Sequence, residues 1–390
     1  MRCSNTSWGL FVSVAALWLL ATAGHADSPQ WTLLAYLRSA GGLAEAAEGY
    51  LQQFDNQAIG PQVQVLTQIE SPDRPGQARR LVFQSGPIQG TATTCGDMDS
   101  PAALGDFLRW GREHASGEHL LLLVLAHGPW PAEESPRPGT VQLGNLAQAL
   151  AQADTLPEAI FLDSCYSGTL ESLDHLQGRA RYLVAAPGLL YSPGLPWGRI
   201  LTALARKPEM SVRDLCQLVV EQTCDFWSAR PATPAGLVAL DLNQAPALLQ
   251  ATRQLALTGL PMMNQTLADL TGARGQAPTW GPHDELVEAG TLADTLAGLT
   301  ANHALAAAAR RTGRAARATT LAAWSQQIGN DSRSLSGPGV FFPLRTVGWP
   351  AAYRQSEPAG FAAVWGSFVQ AYLHEMTAKV ALAGQDQPAC

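Results

Sequence analysis

Two short runs of this chain are apolar at every position, and both stop at side chains with chemistry. His119-Leu-Leu-Leu-Leu-Val-Leu-Ala126 and Ala159-Ile-Phe-Leu162 are apolar at both parities, the pattern of a strand covered on both faces inside a parallel sheet. The first ends at His127-Gly128 and the second at Asp163-Ser164-Cys165. Shorter runs at Trp31 to Leu37, Val63 to Ile69, Leu81 to Phe83, Tyr182 to Ala185 and Leu237 to Leu240 predict further strands. Helical spacing lies between them: Leu43, Ala46, Ala47 and Tyr50; Leu104, Phe107 and Leu108 behind the start signal Ser100-Pro101; Leu143 to Ala153; Leu170, Leu173 and Leu176; and the stretch from Leu201 outward. Another helix begins near Ser211, with Asp214 as capping-box partner. This alternation predicts an α/β sandwich around a mostly parallel sheet, with right-handed crossovers.

The pattern then changes. From about Ala245 to Trp324, Ala, Leu and Thr recur at helical intervals, and one strand-like run follows at Gly339-Val-Phe-Phe342. Phe361, Trp365, Phe368 and Tyr372 form the apolar stripe of a last helix. We read residues 27–244 as the α/β domain and 245–390 as a mainly helical region completing the same unit. Residues 1–26 have the layout of a cleavable export signal: Arg2, an apolar run from Trp8 to Ala21 too short to span a bilayer, then Gly24-His25-Ala26. The mature chain is therefore expected to be secreted or periplasmic, off the membrane after signal removal, and a monomer.

Composition narrows the function by exclusion. Hydrophobic content of 46% and charged content of 15% suit a folded core, and a net charge of −7 without basic runs gives no footprint for nucleic acid. No Cys/His spacing resembles a zinc site, and His374-Glu375 lacks the second histidine of a zincin helix. Of the six cysteines, five remain beyond Cys3, an odd number that flags an unpaired thiol. Cys216 and Cys224 share one predicted helix, where eight residues separate them by about 12 Å, beyond the roughly 7 Å a disulfide can bridge.

Functional residues in open parallel sheets gather beyond the carboxyl ends of the strands, which is where His127 and Cys165 fall. Between a strand end and a helix start, backbone N–H groups stabilise a thiolate, and a nearby imidazole can carry its proton. Gly128, and Ser167-Gly168, let a substrate main chain approach, and the N–H groups of Gly128 and Cys165 are placed to hold an oxyanion. Asp163 either faces the substrate or caps the following helix.

His-Gly after one buried strand and Asp-x-Cys after the next resembles the caspase-like clan of cysteine peptidases, and within it the clostripain family. The landmarks are Trp31 to Tyr36, Gly96-Asp97, Leu104, Asp106-Phe107, Ala126-His127-Gly128, Asp163-Ser-Cys165, Glu171, Tyr182 to Ala186, Gly194-Leu-Pro-Trp197, Leu237 to Leu242, Gly339 to Pro343 and the aromatic last helix. The resemblance implies a caspase-like α/β/α sandwich and a cysteine endopeptidase acting on proteins or peptides, with catalytic His127 and Cys165, no third catalytic side chain, and no cofactor requirement. It further implies that Asp163 lines the pocket for the residue before the scissile bond (P1) and selects Arg or Lys, with Ser164, Ala186, Tyr191 and Trp197 around the substrate. The loop Pro187 to Pro196 departs from the acidic pattern of relatives, and walls of Leu189, Leu190 and Tyr191 would suit a partly apolar P1 residue. Calcium dependence, known among relatives, meets a second departure at Ser39-Ala-Gly-Gly42. Relatives can also be activated by cleavage between the catalytic His and Cys; here the stretch 132–139 holds one basic residue, Arg137, followed by Pro138, so a single active chain is expected. The competing reading is a catalytically silent protein that binds ligands in the same cleft.

Overall fold

A computed structural model describes residues 30–385 except 56–58, 75, 86, 130–136, 231–232, 234, 282–283, 327–334, 346–348, 350–352 and 354–359. The expected export signal lies outside the described residues, as does most of the stretch 132–139.

The apolar runs become the middle of a nine-stranded sheet. Strands β1 (Trp31–Leu37), β2 (Val63–Glu70), β5 (His119–Leu125), β6 (Ala159–Asp163) and β7 (Tyr182–Ala185) are mutually parallel, in the order β7-β6-β5-β1-β2. Antiparallel pairs finish both edges: β3 (Gln77–Phe83) and β4 (Gln89–Thr94) beyond β2, and β8 (Ala235–Asp241) and β11 (Thr320–Gln326) beyond β7. The strand near Gly339 does not join this sheet. It is β12 (Gly339–Phe341), which pairs with β10 (Leu286–Glu288), itself paired to β9 (Thr279–Trp280), in a separate antiparallel sheet. The helical reading of 245–324 holds for α7 to α10 but is interrupted by β9 and β10, and from Thr320 onward β11 extends the main sheet.

Because successive strand residues point to opposite faces, each central strand feeds two cores. Leu34, Leu122, Leu162 and Leu183 share one, while Leu33, Leu121, Phe161 and Val184 share the other. The second is closed by α1 (Ala44–Asp55), α5 (Trp197–Arg206) and α6 (Val212–Ser228). The first is closed by α2 (Pro101–His114), α3 (Leu143–Ala151), α4 (Leu170–Leu176) and α7 (Ala245–Gly259), and it continues without a break into α8 (Met263–Gln276), α9 (Ala289–Leu299), α10 (His303–Thr319) and α11 (Phe361–Gln385). The N-cap signals hold, the side chains of Ser100 and Ser211 accepting the N–H groups of Ala103 and Asp214, but among the described residues the Asp214 carboxylate does not return the bond that a capping box requires. Among the described residues, no helix is long and apolar enough to cross a membrane.

Candidate active site

Strands β5 and β6 are neighbours, and their register pairs Leu125 with Asp163. His127 and Cys165 each follow two residues later, so both emerge at one edge of the sheet. The N–H of Ala126 donates to the carbonyl of Asp163 at 3.2 Å, carrying the pairing one step beyond the strands.

His127 is fixed from two sides. Its N–H donates to the carbonyl of Gly139 (2.8 Å), and its carbonyl accepts from Val141 (2.9 Å). Its Nε2 lies 2.8 Å from the carbonyl oxygen of Gly41, which can only accept, so Nε2 carries the hydrogen and the neutral ring keeps its lone pair on Nδ1. Gly41 has φ of +69°, and a Cβ there would sit 2.9 Å from Nε2, so the position demands glycine. The turn is anchored by Glu70 at the end of β2, whose Oε2 accepts the N–H groups of Ser39 and Ala40 at 3.0 Å each. Arg38 bridges Glu70 and Asp99 beneath it.

Cys165 stands in a tight turn. Tyr166 takes a left-handed conformation (φ 55°), its N–H donating to Gly188, while Ser167 and Gly168 both donate to the carbonyl of Ala186, all at 2.8 Å. A Cβ on Gly168 would come within 2.8 Å of Pro187 N. Helix α4 starts only at Leu170, with Thr169 accepting the N–H of Ser172 as its cap. Cys165 thus lies between a strand end and a helix start as expected, though the turn from Tyr166 to Thr169 separates it from the helix, and Asp163 is not the cap. Burial pushes the Cys165 thiol up, while the Leu190 N–H, 3.4 Å from Sγ, and the Arg137 guanidinium pull it down. The resting sulfur is therefore a thiol that needs a base.

Between the two side chains the backbones nearly touch. A Cβ on Gly128 would overlap the carbonyl of Cys165, whose carbon would lie 2.6 Å away. The N–H groups of Gly128 and Cys165 donate to no acceptor among the described residues, leaving a pair of donors at the strand ends.

Asp163 shares the face of Ala159 and Phe161 and is buried. Its Oδ2 accepts the Tyr50 hydroxyl and the Leu195 N–H (3.2 Å), the latter also 2.8 Å from the Tyr50 oxygen. Burial lifts this carboxyl to about 7, against the Leu195 hydrogen bond. Ser164 is buried, its hydroxyl unpaired among the described residues, and Tyr191 is 42% exposed on the neighbouring loop. Trp197 and Ala186 are another matter: both are fully buried, Trp197 packing edge-on against Phe161 at 5.1 Å. They support the loop rather than meet a substrate, because both side chains belong to the core beneath it. The site roles of Gly41, Tyr50 and Glu70 escaped the sequence reading, and Leu190 was read as a pocket wall without its N–H contact to the sulfur. Three of them act over separations of 86, 113 and 25 residues, with no local signal beyond the Gly41-Gly42 pair.

Among the described residues no cluster of His, Cys, Asp or Glu could hold a metal ion, and Glu70 and Asp99, the acids nearest Ser39 to Gly42, are already engaged by Arg38 and main-chain N–H groups. Of the described cysteines, Cys95, Cys165, Cys216 and Cys224 are all free thiols.

A model of the clostripain family matches residues 77–299, more than half of the chain and both strand ends. The chain belongs to the clostripain family. It is accordingly a cysteine peptidase with the caspase-like sandwich of that family. Among solved structures it resembles a secreted C11 cysteine protease from Bacteroides thetaiotaomicron in complex with an irreversible peptide inhibitor. Identity is 14%, the TM-score is 0.65, and the match covers 86% of this chain and 99% of that one. It also resembles an inactive zymogen C11 protease from Parabacteroides distasonis, at 14% identity and a TM-score of 0.59, over 82% of this chain and 93% of that one. At such identity these likenesses carry the fold alone. No curated protein matches the chain.

For a clostripain-family member, the geometry separates two layers. His127, Cys165 and the free N–H pair form the edge where a peptide bond could be held, while Glu70, Gly41, Tyr50 and Ala186 fix the main chain behind it.

Proposed function

We propose that the chain is an exported endopeptidase that cleaves proteins and peptides through a Cys165 thioester, with His127 as acid and base. The observation that carries this reading is the register of β5 and β6, which sends an imidazole and a thiol from adjacent strands to one edge. In the proposed sequence, Nδ1 of His127 takes the Sγ proton as sulfur attacks the scissile carbonyl carbon. The N–H groups of Gly128 and Cys165 hold the resulting oxyanion. Collapse breaks the C–N bond, the imidazolium gives its proton to the departing amine, and an acyl thioester remains. Water, deprotonated by the same imidazole, then frees the acid and restores the thiol. Each of these steps is carried by side chains and main-chain N–H groups of the chain and by water.

For P1 we propose Arg or Lys, whose cation would share the Asp163 carboxylate with Tyr50. Export is supported by the layout of residues 1–26 and by the relative described as secreted. We propose that the chain acts as a monomer without internal cleavage, the bond after Arg137 being disfavoured by Pro138. Digestion of a mixed peptide library, read by mass spectrometry, tests the P1 assignment. Arg or Lys before the new carboxyl terminus supports it; Leu, Tyr or Asn there assigns the pocket to Leu189, Leu190 and Tyr191 instead.

A further inference from the structure

On the far side of the loop that follows β7, helices α5 and α6 enclose a cavity of about 720 Å³ whose charge does not match the rest of the molecule. Arg199 and Arg206 stand seven residues apart on one face of α5, and Gln222, Phe226 and Arg230 recur every four residues on the facing side of α6 and just beyond its end. The guanidiniums of Arg199 and Arg230 both lie over the Phe226 ring, at 5.6 and 3.9 Å from its centre. None of the three arginines forms an ion pair among the described residues, and all three are exposed. On a chain of net charge −7, two cations share one ring, a third lines the same cavity, and the lining holds no carboxylate to offset them.

We propose that this cavity is a secondary substrate site that takes an acidic segment of the peptide being cleaved. The inference rests on the peptidase reading of the neighbouring edge. Spacing favours a segment over a single small anion: Arg199 and Arg206 are about 10 Å apart along the helix axis, too far for one phosphate or carboxylate to bridge. Volume agrees, since about 720 Å³ falls in the range that holds a ligand of several residues' side chains. Position links it to the reaction. Pro193, Leu195 and Pro196 line the cavity, the Leu195 N–H is bonded to Asp163, and the indole N–H of Trp227 on α6 donates to the carbonyl of Gly194 at 3.3 Å. A peptide lying along this loop would therefore pass from the Cys165 edge to the arginines.

Exposed ion pairs are individually weak, so three together amount to roughly a tenfold gain in affinity, and one that salt removes. The test uses the full-length chain with Cys165→Ala, and fluorescent peptides with Arg at P1 that carry at either end a neutral tail or one rich in Asp and Glu. Anisotropy is expected to show about tenfold tighter binding of one acidic-tailed peptide, a gain abolished at high salt and by Arg199→Ala with Arg206→Ala. Charge reversal, Arg199→Glu with Arg206→Glu, is expected to transfer the preference to a Lys-rich tail; these side chains are exposed, and thermal melts report the fold of each variant. An equal gain in wild-type and substituted cavities, or no gain with either tail, overturns the proposal. Displacement of a neutral-tailed peptide by millimolar inorganic phosphate, without any effect of tail charge, also overturns it, in favour of a small-anion site. Because binding is read in Cys165→Ala protein, absence of hydrolysis by the unsubstituted chain would count against the peptidase reading and leave this result standing.

Discussion

Asp163 shows how one side chain can make substrate preference depend on pH. Its carboxyl is raised to about 7 because burial penalises the charge more than the Leu195 N–H offsets it. Below that value Asp163 is neutral, and above it negative, so the P1 role proposed for it would change with pH. For a P1 Arg peptide compared with a neutral isostere, kcat/KM should therefore rise in ratio as pH goes from about 6 to about 8, and Asp163→Asn should flatten the ratio. The stability consequence has the opposite sign. A carboxyl whose folded pKa lies above the unfolded value near 3.9 favours the fold when protonated, and this contribution is lost as pH climbs from there through about 7. Urea melts of wild type and Asp163→Asn should thus shift in favour of the variant between pH 5 and pH 8; a constant difference would mean that Asp163 is not perturbed by burial.

At the scale of elements, the site is a set of turns held by glycines and main-chain hydrogen bonds. Gly194 illustrates the constraint: its φ is +73°, and a Cβ there would overlap the Asp163 carboxylate, 2.9 Å from Cγ. Gly194→Ala combines a left-handed backbone cost of about 1 kcal/mol or more with displacement of the Asp163, Tyr50 and Leu195 group. Both Tm and the basic P1 preference should fall, and a variant that loses neither would show that the loop yields freely. Elements also mark where the sequence was readable. Strands β5 and β6 announced themselves because full burial demands apolar residues at both parities, and their ends gave His127 and Cys165. Strand β4 reads Gln-Gly-Thr-Ala-Thr-Thr and is largely exposed, so only its pairing with β3 makes it a strand. Strand β11 was hidden by composition. Ala315, Ala316 and Ala318 close the Ala-rich run of α10, and Leu321-Ala-Ala323 continues the same composition into the strand. Leu and Ala carry no strong strand preference, so pairing with β8 at the sheet edge decides their conformation.

Across the whole molecule, the contacts that hold the site come from distant parts of the chain. Gly339 in β12 donates its N–H to the carbonyl of Gly168, three residues past Cys165, at 3.0 Å. The N–H of Phe341 donates to the buried Glu171 carboxylate in α4, which also accepts the Tyr353 hydroxyl. The C-terminal helices share one core with the sheet, from Leu34 to Leu373, and β11 closes its edge. Apart from the Glu171 carboxylate, the partners within 27–244 are ordinary apolar or backbone groups, so little in that segment signals this dependence. A fragment of residues 27–244 would expose the faces that α7 to α11 cover, so it should fail to fold, and residues 27–390 should melt in one cooperative transition. Circular dichroism of the fragment and calorimetry of residues 27–390 check this; a folded, cooperatively melting fragment would make the helical region a separate unit.

The central claim is that adjacent strands bring one thiol and one imidazole to a shared peptide bond. An irreversible electrophilic peptide with Arg at P1, followed by mass spectrometry of the digested adduct, tests it most directly. The account predicts a single adduct on Cys165, absent in Cys165→Ala and formed at least about a hundredfold more slowly in His127→Ala. An adduct on Cys95 or Cys224, or labelling of Cys165 at a rate indifferent to His127, would contradict it.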